Sequence, residues 1–135
     1  MLTRPARPSV FLKNLNKQIF LNFITVSDEE WIQEQYPNDQ IIEDIKEGKP
    51  ESMLDLFWHL LDNDAKRLIK DAKIVKWNGF SELEVPFDSP VEKLKHIISG
   101  ADEVTAIINA VFRSNELSQP DKMESQKKSP KAVNR

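Results

Sequence analysis

The stretch Met53-Leu54-Asp55-Leu56-Phe57-Trp58-His59-Leu60-Leu61 decides the fold, because only two of its side chains, Asp55 and His59, are polar. Wound at about 100° per residue, it sets Leu54, Phe57, Trp58 and Leu61 in one stripe at i, i+3, i+4 and i+7. Met53, Leu56 and Leu60 form a second stripe beside the first. Together the stripes cover roughly half the circumference, more than the ~100° arc of an ordinary surface helix. Such a helix needs cover on two sides, from its own core or from another protein. A chain of 135 residues then leaves part of the arc for a partner, which makes Met53, Leu56, Phe57, Trp58 and Leu60 the candidate partner-binding residues. The competing reading of the same stripes is pure core, the usual outcome for such residues.

On the C-terminal side the stripe continues in phase through Ala65, Leu68, Ile69 and Ala72, so one helix over 51–73 fits. Asp62-Asn63-Asp64 equally offers a cap for a second helix, and the sequence leaves both open. Residues 74–85 are less periodic; Asn78-Gly79 signals a turn, and Trp77 and Phe80 are expected to pack on the core. Ser89-Pro90-Val91-Glu92 is a capping box with proline at the first helical position, and Gly100 is a helix stop, giving a helix over 90–99. Asp102 opens a last helix over 102–114, with Val104, Ile107, Ile108, Val111 and Phe112 on one face.

On the N-terminal side, Pro50 suits the first turn of the central helix. Before it, Asp39 caps a short helix over 40–47 with Ile41, Ile42 and Ile45 inward, ended by Gly48. Ser27 followed by Glu30 forms another capping box, with Val26 and Trp31 as its hydrophobic staple, and opens a helix over 28–36 that stops at Pro37. Residues 10–25 read as a β-hairpin around Asn14-Leu15-Asn16-Lys17, which needs a helix or another strand against it to persist. Residues 1–9 are expected to be flexible, and the polar, aperiodic residues 118–135 to be a disordered basic tail. The expected fold class is mainly α: a small helical domain over 10–117 with a short N-terminal β-hairpin and a disordered C-terminal tail.

Composition narrows the function classes. With 39% hydrophobic and 30% charged residues the chain has a globular composition, and no apolar run approaches the ~20 residues of a membrane span. There is no cysteine, which excludes disulfides, thiol nucleophiles and cysteine-based zinc sites and fits a cytoplasmic location. The net charge of −3 hides a segregation: residues 18–117 hold 10 bases against 20 acids, and both ends are basic. An acidic body repels phosphate, so nucleic acid is not the expected partner, although the basic ends allow weak, salt-sensitive contact.

No catalytic constellation emerges, and neither a metal nor a cofactor is expected. His59 and His96 lie far apart and are read as solvated, His59 paired with Asp55 one turn earlier. Asp62 and Asp64 are followed by Lys66 and Arg67 rather than by acids, so the calcium-loop pattern fails. Three scattered glycines make no phosphate-cradling loop.

The order of elements carries a resemblance. A short strand pair runs through Phe23-Ile24-Thr25-Val26-Ser27-Asp28-Glu29-Glu30-Trp31 into a capped helix. The apolar helix containing Ser52–Leu61 follows, then an apolar C-terminal helix pair that includes Ile97-Ile98-Ser99-Gly100-Ala101-Asp102-Glu103-Val104, then a polar tail. Over residues 10–117 this resembles the tail assembly chaperones of long-tailed bacteriophages. The resemblance implies a non-enzymatic protein of the host cell cytoplasm that binds the tape measure protein, shields its apolar helical faces and helps recruit the tail tube protein, with homo-oligomers as a further expectation. The competing class is a small helical interaction or scaffold subunit with no viral role.

Overall fold

The computed structural model describes residues 7–117, so the expected disordered tail at 118–135 and residues 1–6 of the expected flexible start lie outside the described residues. The described chain is mainly helical. Its elements are β1 (Ser9–Leu12), β2 (Lys17–Phe20), α1 (Val26–Gln35), α2 (Gln40–Lys46), α3 (Glu51–Leu60), α4 (Asn63–Asp71), β3 (Val75–Trp77), β4 (Glu82–Glu84), α5 (Pro90–Ile97) and α6 (Ala101–Leu117). Among the described residues no helix is long and apolar enough to cross a membrane.

Helix α3 is the hub. It packs against α2, α5 and α6, and Met53, Leu54, Leu56, Phe57 and Leu60 are all buried. This corrects the expectation that the chain is too short to cover the arc. A helix apolar over so wide an arc is a buried helix when enough neighbours surround it, and this chain supplies them from elements that precede and follow it. The first hairpin closes one side: Val10 pairs with Ile19, and Val10, Leu12, Ile19 and Leu21 all point inward and are buried. Its turn places Asn16 in the left-handed region at φ 52°, which asparagine tolerates. Beyond β2 the chain stays attached, with the Asn22 N–H donating to the Leu60 carbonyl at 2.8 Å.

The continuous helix over 51–73 does not form. Leu61 is extended, bridging Leu21, and Asp62 accepts the Ala65 N–H at 2.8 Å as the cap of α4. Arg7 donates to the same Asp62 carboxylate at 3.1 Å and to the Leu21 carbonyl at 3.2 Å, so residues 7–9 are tied to the body rather than flexible. The cap of α1 also differs. Thr25 and Asp28, not Ser27 and Glu30, form the capping box, and Val26 is exposed rather than stapled to Trp31. Both pairs have the required spacing; Asp28 also binds His59 at 2.9 Å, and that distant contact favours the earlier box. Asp39 is left-handed and makes no capping bond with its side chain. Ser89 caps α5 as expected, accepting the Glu92 N–H at 3.2 Å.

Residues 74–85 form a second hairpin that the sequence reading missed. β3 and β4 pair antiparallel, and Asn78 Oδ1 accepts the N–H groups of Phe80 and Ser81 at 2.9 Å each, with Gly79 at φ 99° completing the turn. Trp77 is 66% exposed and Phe80 90%, so neither packs on the core as expected.

Candidate functional site: an apolar groove beside the central helix

A groove of about 190 Å³ opens between α1, α2 and α6. Met53 and Leu56 form its floor, and Ile32 of α1 with Tyr36 at its C-cap, Ile45 of α2 and Ile108 of α6 stand along its walls. Ile42 and Phe112 lie at its outer edge, 41% and 45% exposed, while Glu29, Gln33 and Asp39 supply the polar rim. Ile42 is therefore not turned inward as the sequence suggests.

The wall formed by α1 is unusual in its attachment. No residue of α1 is buried. Trp31 and Ile32 rest half-buried against the core, and two polar side chains of α3, Asp55 and His59, tie the helix and its C-cap down. His59 Nε2 lies 2.9 Å from Asp28 Oδ1, and its ring stacks on Trp31 with centroids 4.1 Å apart and planes within 10°. The Tyr36 hydroxyl donates to Asp55 Oδ2 at 2.7 Å, and Trp31 meets Tyr36 edge-on at 6.0 Å. Thus Asp55 and His59 are not each other's partners, as the helical spacing suggests; each reaches α1. Burial works against ionisation of Asp28, but the Thr25 N–H and hydroxyl and the His59 ring outweigh it and hold the carboxyl below its ordinary range. Burial and then the Asp55 carboxylate push the Tyr36 phenol up, so it remains a hydrogen-bond donor.

Of the five candidate partner-binding residues, the structure brings Met53 and Leu56 to the groove. Phe57 and Leu60 are sealed in the core at 0% and 1% exposure and touch no outside surface. Trp58 is half-buried elsewhere, with the Lys66 and Lys70 ammonium groups 5.9 and 6.0 Å from its ring. The sequence reading missed Ile32, Tyr36 and Phe112 as lining residues. For Phe112 a signal was available in the adjacent pair Val111-Phe112, which cannot both face one core; the polar sequence of α1 gave none for Ile32 and Tyr36.

The groove offers apolar contact and an acidic rim. Among the described residues, its polar lining is Glu29, Gln33, Tyr36 and Asp39. Among the described residues, no group of three or more histidine and acidic side chains is placed to hold a metal ion. Comparisons with protein-family models, with curated proteins and with solved structures find no match, so the geometry of the groove itself has to carry the functional reading.

Proposed function

We propose that the chain is a non-enzymatic chaperone of bacteriophage tail assembly that holds an amphipathic helical segment of the tape measure protein in the groove between α1, α2 and α6. The observation that carries this reading is an open apolar groove with an acidic rim, the form suited to an amphipathic helix carrying basic flanks. The client's apolar face meets Ile32, Ile42, Ile45 and Phe112, and its basic residues are steered by Glu29 and Asp39. The viral part of the proposal rests on the order of elements, and the tail tube protein is a second proposed partner on the same ground.

The test uses the exposed edge of the groove. Ile42→Ser combined with Phe112→Ser changes side chains that the folded chain already leaves partly in water, so the thermal transition shifts little. Binding to helical segments of the tape measure protein, followed by titration calorimetry, is expected to weaken at least tenfold, about 1.4 kcal/mol. Undiminished binding by the folded double variant sinks the groove as the client site. A gene neighbourhood lacking any very long helical reading frame downstream would instead favour a general helical interaction module using the same groove.

A further inference from the structure

The second hairpin is the least supported element of the fold. β3 and β4 pack chiefly on each other, and Val75, Trp77, Phe80 and Leu83 are 47%, 66%, 90% and 51% exposed. A two-stranded hairpin is marginal by itself and gains stability from a third strand. We propose that this hairpin is where a second copy of the chain attaches, the free edge of β3 in one copy pairing with the free edge of β4 in the next.

The ladder shows which backbone groups are available. The Val85 N–H donates to the Ile74 carbonyl at 2.7 Å, and the Asn78 N–H to the Ser81 carbonyl at 3.1 Å. Bonded and non-bonded pairs alternate in an antiparallel ladder, so the bonded pair between these two is Lys76–Leu83. Val75 and Trp77 on β3, and Glu82 and Glu84 on β4, therefore turn their N–H and C=O groups outward.

Charge selects which edge meets which. β3 carries Lys76 and follows Lys73, with no acid; β4 carries Glu82 and Glu84, with no base. None of these four side chains has a hydrogen-bond or ion-pair partner among the described residues. Pairing β4 with another β4 sets glutamate against glutamate, and pairing β3 with β3 about its centre sets Lys76 against Lys76. Like charges directly opposite are destabilising. Adding β3 of one copy to β4 of the next repeats the register already present within the hairpin, with Val75 opposite Glu84 and Trp77 opposite Glu82, and no like charges meet. The contact is head-to-tail, so each copy keeps one free edge and the assembly grows into a ring or an open filament. The groove between α1, α2 and α6 takes no part, and the inference stands whether or not a helical client binds there.

Sedimentation of the full chain without any client tests this. The expected mass climbs with concentration through dimers to larger species. Glu84→Pro removes an N–H that points away from β3, leaving the hairpin's own ladder intact while blocking the edge of β4; Trp77→Pro blocks the edge of β3 in the same way. Each variant alone is expected to remain monomeric, and an equimolar mixture to form dimers and nothing larger. A second test leaves every backbone N–H in place: Glu82→Lys with Glu84→Lys is expected to weaken association roughly tenfold. A parent chain of constant monomer mass, a Glu84→Pro variant that associates like the parent, a mixture that stays monomeric, or a charge-reversed variant that associates unchanged would each overturn the proposal.

Discussion

The described residues contain two antiparallel hairpins that share almost nothing but their hydrogen-bond pattern. β1–β2 turns Val10, Leu12 and Ile19 onto the core, at 2%, 0% and 1% exposure, and packs along α6. Every residue of β3 and β4 is exposed. The difference lies in what stands behind each sheet. The first hairpin has α6 across its inner face, and its turn is clamped from the first turn of the same helix. Glu103 of α6, almost wholly buried, accepts the Lys13 N–H at 2.9 Å with one carboxylate oxygen and the Ser99 N–H at 2.8 Å with the other. Asn14 Nδ2 adds a bond to the Ile97 carbonyl. The second hairpin has its own Asx-type turn and little else. A strand pair is thus stable in this fold only as far as apolar side chains on one face are removed from water.

The sharpest way to break this contrast is to truncate one residue in each hairpin. Leu12→Ala leaves a cavity in the core and is expected to cost about 2–5 kcal/mol in urea unfolding. Trp77→Ala, measured at concentrations where the chain is monomeric, is expected to stay within about 0.5 kcal/mol of the parent. Equal losses would mean that the second hairpin is part of the core after all.

The Glu103 clamp comes next in size. Glu103→Ala leaves two backbone donors without their carboxylate and is expected to cost about 1–3 kcal/mol. The same group predicts how stability depends on pH. Burial opposes its ionisation, but the Lys13 and Ser99 N–H groups prevail and hold the carboxyl below its ordinary 4.5; Asp62, bound by the Ala65 N–H and by Arg7, is likewise held below 3.8. The folded state therefore binds fewer protons than the unfolded one as these groups titrate. Their contribution is complete above about pH 5, and is lost as the pH falls through the lowered folded values. Acid titration of unfolding followed by circular dichroism should show a shallower decline for Glu103→Ala than for the parent. The smallest expected effect is seen without mutation. Amide exchange should be slow in β1–β2 and close to that of an exposed loop in β3–β4 of the monomer; similar protection in both would erase the distinction.

How much of this was legible beforehand follows the range of each interaction. The cap at Ser89 with Pro90 and the turn at Asn78-Gly79 were readable because the atoms that satisfy them lie within four residues. The first hairpin was readable because its apolar alternation is dense. The second was not: its strands are three residues each, and pairing sets Val75 and Trp77 opposite Glu84 and Glu82, so no face is apolar across both strands. All of Met53, Leu56, Phe57 and Leu60 are buried, Met53 and Leu56 beneath the groove and Phe57 and Leu60 away from it, because a helical wheel gives directions around an axis but not the number of neighbours waiting there.

Composition, periodicity and short-range caps by themselves determined that the chain is mainly helical, that an N-terminal hairpin precedes the helices, and that the stretch around Phe57 is the most apolar helix. Tertiary structure alone decided the break at Leu61, the tethering of α1 by Asp55 and His59, the buried Glu103 clamp and the groove. Those features join residues as far apart as Lys13 and Glu103, 90 positions along the chain. A polar side chain takes whichever partner the packed helices bring within 3 Å or so, and burial decides which of its possible partners water no longer replaces.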